Sequence, residues 1–162
     1  MMGLLFGLAA ILSTLEHSLP PVPLLPPGVK LGLANIAVMY CVFFIGNKQA
    51  FTLNILKSVF VLLVRGPLAG SLSFTGGILS VCIIVLLLKA FDRKISYIAV
   101  SSAGAVSHNI GQLAVCALIL RTAGVVYYLP LLLIAGIATG AVTGVLLKAL
   151  LPALRKTQQV LF

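Results

Sequence analysis

The chain has no tryptophan and only two carboxylates in 162 residues, Glu16 and Asp92. A general acid/base pair or a magnesium–diphosphate site needs several carboxylates within reach of one another, so no enzymatic activity is expected. Charged residues make up 8% of the chain, against about 25% in ordinary soluble domains. With 61% hydrophobic residues and a mean hydropathy of +1.23, there is too little polar surface to clothe a soluble globule. The phosphate-binding pattern G-x-x-x-x-G-K-[ST] is also missing, so any energy source must be another protein. Cys41, Cys82 and Cys116 each fall in an apolar run at no metal-like spacing and are read as buried hydrophobes. Two histidines and one glutamate from different segments form no recognisable ligand set, so no metal and no cofactor is expected. The formal charge of +9 finds no soluble basic face to present to nucleic acid.

What is there is continuous apolar sequence. It does not alternate, which favours helices over a barrel in lipid, where every backbone group must be satisfied internally. The uncharged runs Gly66–Leu88, Ile95–Leu120 and Thr122–Leu147 each exceed the length of about 20 residues that a span requires. The expected fold is an all-α membrane protein, a six-transmembrane-helix bundle forming one integral membrane domain over residues 1–162. Its spans are read at about 3–18, 29–46, 49–65, 74–90, 95–121 and 125–151. Residues 3–18 could be a signal peptide, but no basic region precedes them and no A-x-A site follows, so a retained first span is preferred. Gly46-Asn47-Lys48 and Gly66-Pro67 mark turns, and Ala69-Gly70-Ser71-Leu72-Ser73 reads as a connection before the fourth span. Six spans put both termini on one side. With the termini cytoplasmic, the inner side holds Lys48, Lys89, Arg93, Lys94, Lys148, Arg155 and Lys156, and the outer side holds Lys30, Arg65 and Arg121. That balance obeys the positive-inside rule and suits the cell membrane. Tyr40, Tyr97, Tyr127 and Tyr128 are the only amphipathic aromatics available for the interface.

Residues 19–28 then form an external loop in which Pro20, Pro21, Pro23, Pro26 and Pro27 favour a stiff, extended cover. Polar side chains within lipid are costly and tend to face a cavity. Glu16, His17, Lys30, Asn35, Lys57, Arg65, His108, Asn109 and Gln112 all fall in the middle or outer half of the membrane, and they are the candidate substrate-binding set. Lys57 and Arg65, eight residues apart, return to within about 80° on a helix and can line one wall. Lys57 can equally be a snorkelling amine or the structural partner of Glu16. Ser107-His108-Asn109 can equally serve helix–helix hydrogen bonds. Gly3, Gly7, Ala10 and Thr14 form a groove of small side chains that admits another helix, in a partner or in the same chain. Gly136, Gly140 and Gly144 stand at four-residue steps near the C-terminal end.

The segment Pro27-Gly28-Val29-Lys30-Leu31-Gly32-Leu33-Ala34-Asn35-Ile36, with Ser107-His108-Asn109 and Gly111-Gln112, resembles the family labelled Gx transporter or heptaprenyl diphosphate synthase component I. More broadly, the order of features resembles the substrate-binding S components of energy-coupling factor (ECF) transporters. The resemblance spans nearly the whole chain. It implies a ligand held near the outer face beneath the first external loop, and docking onto a transmembrane coupling protein driven by a pair of cytoplasmic ATPases. Docking in that family uses Ala-x-x-x-Ala on the first helix, for which Gly3, Gly7 and Ala10 substitute here.

Three roles follow from these features. The first is a membrane-embedded binding subunit that captures a small micronutrient or a prenyl or quinone precursor. The second is a non-catalytic membrane partner of a prenyl diphosphate synthase, and the third a structural subunit of a larger membrane complex.

Overall fold

The computed structural model describes residues 1–18, 34–92 and 94–161, with side chains at all of these except 17, 123 and 150–161. The described residues form helices and no strand. In chain order they are α1 (Met2–Ser18), α2 (Asn35–Tyr40), α3 (Asn47–Arg65), α4 (Pro67–Ala90), α5 (Tyr97–Leu120) and α6 (Leu129–Leu161). A π-helical turn, Cys41–Ile45, extends α2, and a 3₁₀ turn, Ala123–Tyr128, leads into α6.

The breaks have local causes. Gly66, at φ 88°, turns the chain between α3 and α4, and Pro67 opens α4 at its first position, where its missing N–H costs nothing. This corrects the sequence reading, in which residues 69–73 form a connection. They are instead the first turns of α4, and Gly70 is there because a Cβ would lie 2.5 Å from Leu62 Cβ across the hairpin. Ser96 caps α5, its hydroxyl accepting from the Ala99 N–H at 3.1 Å. Arg121 ends α5 in the left-handed conformation at φ 49°.

Helices α3, α4, α5 and α6 form an antiparallel series held by glycine contacts. Asn54 and Ser58 of α3 face Gly77 and Ser73 of α4, and Gly76 faces His108 and Gly111 of α5. On α6, Gly136, Gly140 and Gly144 lie against the backbone of Val106, Ser102 and Ile98, with a Gly144 Cβ placed 2.8 Å from Ile98 Cα. The glycine repeat is thus an internal α5–α6 seam. Small residues allow such close approach, which matters in lipid because packing, rather than exclusion from water, drives helix association.

Two apolar clusters sit inside the bundle. One joins Leu5 and Ala9 of α1, the α2 segment, Leu53, Val81, Ile84, Val100 and Leu147; the other joins Leu72, Leu113, Cys116, Val125 and Leu132. Tyr40, expected at the interface, is buried in the first cluster and stacks near Phe44 at 5.1 Å. Cys82, expected inside, is exposed on the outer face of α4, whereas Cys41 and Cys116 are buried. The outer surface is apolar: Leu63, Leu118 and Ile134 are 76%, 77% and 67% exposed. Three helical stretches, Pro67–Ala90, Tyr97–Leu120 and Gly124–Ala149, are long and apolar enough to cross a membrane. Such a surface on such helices makes this a membrane protein.

Candidate functional site

Helices α1, α3, α4 and α5 each present residues one turn apart on a single face, and the start of α2 adds one more. Ser13 and Glu16 come from α1, Asn35 from the start of α2, Lys57, Val61 and Arg65 from α3, Ala69 and Ser73 from α4, and His108 and Gln112 from α5. Together with Ala34 they line a partly open cavity of about 40 Å³. That is room for about three water molecules. It lies where α1 and α3 end and α4 begins.

The cavity is held by a few explicit contacts. The Lys57 ammonium, 3% exposed, donates to the Asn35 side-chain carbonyl at 2.6 Å. The Ser58 hydroxyl bonds the Asn54 carbonyl at 2.8 Å and lies 3.5 Å from the Ser73 hydroxyl, which ties α3 to α4 beside the cavity wall. Glu16 is buried and acts electrostatically on both Lys57 and Arg65. The His108 ring lies against Gly76, its Nδ1 without a hydrogen bond of ordinary geometry, and Gln112 Oε1 is buried without a partner among the described residues. Buried polar atoms left in this state cost free energy. Among the described residues, no three His, Cys, Asp or Glu side chains gather closely enough to hold a metal ion.

Of the nine residues singled out from the sequence, Glu16, Asn35, Lys57, Arg65, His108 and Gln112 line this cavity. Lys30 and the proline-rich stretch lie outside the described residues, as does the side chain of His17. Asn109 is turned away: its amide donates to the Leu132 carbonyl of α6 at 3.0 Å. One residue of rotation, about 100°, separates it from His108. Ser13 and Ser73 line the cavity without having been singled out. Ser13 precedes Glu16 by three residues on the same face, a signal present in the sequence; Ser73 falls in the stretch read as a connection.

A model of the heptaprenyl diphosphate synthase component I family matches residues 5–150. The chain belongs to this family. The match to heptaprenyl diphosphate synthase component I takes in every cavity-lining residue. By its name, component I is one part of a synthase built from more than one. No curated protein and no solved structure matches the chain.

Proposed function

We propose that this protein is the substrate-binding membrane subunit of an ECF-type importer, capturing a small molecule with an anionic head in the Lys57 cavity. The observation that carries the reading is the cavity itself. Two cations, one carboxylate, a histidine and two amides from four different helices converge on one small, partly open cavity. Charges buried in a membrane protein without function would be expensive to keep. In this reading the chain crosses the cell membrane six times, both termini are cytoplasmic, and the cavity opens outward beneath residues 19–28. Transport in this reading is driven by a transmembrane coupling protein and its ATPase pair.

Docking would use the small-residue face of α1. Among the described residues, a Cβ on Gly3 or Gly7 would meet nothing within 4 Å, which leaves room there for a partner helix. The glycines of α6, by contrast, are filled by α5.

The family's name supports a second reading, a non-catalytic membrane partner of a prenyl diphosphate synthase. Native mass spectrometry of gently extracted protein separates the two. A retained small molecule, lost in Lys57→Ala and His108→Ala, supports the binding subunit. Co-purification with a soluble synthase and no retained molecule supports the second reading and removes the first.

A further inference from the structure

The end of the bundle opposite the cavity is basic. Lys89 stands in the last turn of α4, Lys94 in the turn to α5 and Lys148 on α6, all three exposed, and Lys48 at the start of α3 is exposed at the same end. Helix register brings the first three to one level. Gly144 of α6 lies against Ile98 of α5, so Lys148, four residues further along α6, comes level with Lys94, four residues before Ile98. Gly104 of α5 faces Ser80 and Ile84 of α4, which sets Lys89 beside the start of α5. The turn between them is closed by the Lys94 N–H, which donates to the Phe91 carbonyl at 2.8 Å.

Little opposes these charges. The chain has two acidic side chains, and Glu16 belongs to the cavity at the other end. The residues outside the described set include no Asp or Glu. Asp92, exposed in the same turn at φ 46°, is therefore the one acidic side chain that can temper the lysines here.

Apolar surface lies directly beneath the cations. Leu86 is exposed one turn inside Lys89, Val145 is exposed one turn inside Lys148, and Phe91 is exposed next to the turn. Residues one turn apart share a helix face. Hydrocarbon thus continues from each helical lysine toward the middle of the bundle, which suits a molecule with an anionic head and long chains better than a free anion. Lysine also suits a phosphodiester, because its compact charge on a flexible stem needs no fixed fork geometry.

We propose that this end of the bundle binds anionic phospholipid, with head-group phosphates met by Lys89, Lys94 and Lys148 and acyl chains lying along Leu86 and Val145. The site is separate from the cavity and from whatever the cavity binds. Asp92 weakens the attraction without reversing it.

The test places the full chain in nanodiscs made of equal parts dioleoyl phosphatidylglycerol and dioleoyl phosphatidylcholine, and native mass spectrometry reads the lipids that stay with the protein on release. Phosphatidylglycerol is expected to be enriched by about fivefold or more over its share of the bilayer, since one basic side chain at an anionic surface is worth about that factor. Lys89→Gln, Lys94→Gln and Lys148→Gln combined should return the retained lipid to the bulk ratio, and each alone should lower the enrichment. Asp92→Asn should raise it, and asparagine tolerates the left-handed backbone there. Arg121→Asn, at an exposed cation of the cavity end, should leave it unchanged. Equal retention of the two lipids by the unaltered protein overturns the proposal, as does undiminished enrichment in the combined variant. A loss in Arg121→Asn as large as in the combined variant overturns the location. Glycerol 1-phosphate added in excess should not displace the retained lipid; displacement would make this a site for free phosphate and overturn the lipid assignment. The lipid comparison on the unaltered protein and the single variants decide the matter even where the combined variant does not fold.

Discussion

The Lys57 ammonium and the Asn35 side-chain carbonyl, 22 residues apart in sequence, meet at 2.6 Å inside the bundle and join α3 to the first turn of α2. A buried ammonium with too few acceptors is worse than no ammonium at all, because the desolvation is not offset. Asn35→Ala is therefore expected to cost about 1.5–3 kcal/mol, while adding Lys57→Met to it recovers stability rather than compounding the loss. The buried thiols of Cys41 and Cys116 report unfolding as they become reactive on heating, after the exposed Cys82 has been blocked. A double variant less stable than Asn35→Ala alone would show that Lys57 has other essential partners.

Asn109 and His108 are neighbours in sequence and face different helices. Asn109 holds α6 through the Leu132 carbonyl, so Asn109→Ala is expected to lower stability by about 0.6–2 kcal/mol, the range of interhelical hydrogen bonds in membranes. Ligand retention in native mass spectra should be unchanged, whereas His108→Ala should lose it. Loss of ligand in Asn109→Ala without loss of stability would return Asn109 to the cavity.

Much of this was legible from residue type and spacing. Lys57 and Arg65 do share a wall, because an eight-residue step on a helix is fixed by geometry and needs no tertiary information. Polar side chains in apolar runs were also legible as a converging set, since lipid leaves them few other places. What the sequence did not disclose is which way each turns. Ser107-His108-Asn109 reads as one polar patch, yet Ser107 bonds back to the Ala103 carbonyl, His108 lines the cavity and Asn109 crosses to α6. The start of α4 differs from the sequence reading for a related reason. Gly70, Ser71 and Ser73 carry loop propensity, but in a tight helical hairpin small residues serve the contact with Leu62 and Ser58. Tertiary closeness overrode local preference.

The two glycine repeats provide a matched contrast. Among the described residues nothing stands where a side chain on Gly3 or Gly7 would go, whereas a Cβ on Gly140 would strike the Ser102 backbone. Gly140→Leu should separate α5 from α6 and destabilise the protein by about 3 kcal/mol or more, since backbone cannot yield as a side chain can. Gly3→Leu and Gly7→Leu should leave melting and ligand binding within error and reduce capture of the coupling protein in a pull-down. Unchanged capture would count against docking through α1.

Asn54 of α3 lies against Gly77 of α4. Asn54 is fully buried, neither side-chain polar atom has a partner among the described residues, and a Cβ on Gly77 would fall on its amide. An asparagine kept in that state is a cost that the adjoining helix tolerates only because residue 77 is glycine. Gly77→Ala should therefore destabilise by about 1–3 kcal/mol through overpacking. Asn54→Ala removes both the unpaired amide and the obstacle, so in its background the same Gly77→Ala change should be nearly free. The difference between the two backgrounds is the coupling energy of the pair, and residues in direct contact reach about 0.5–3 kcal/mol. Additive effects in melting would mean that the backbone at Gly77, rather than the Asn54 side chain, sets the distance between the helices.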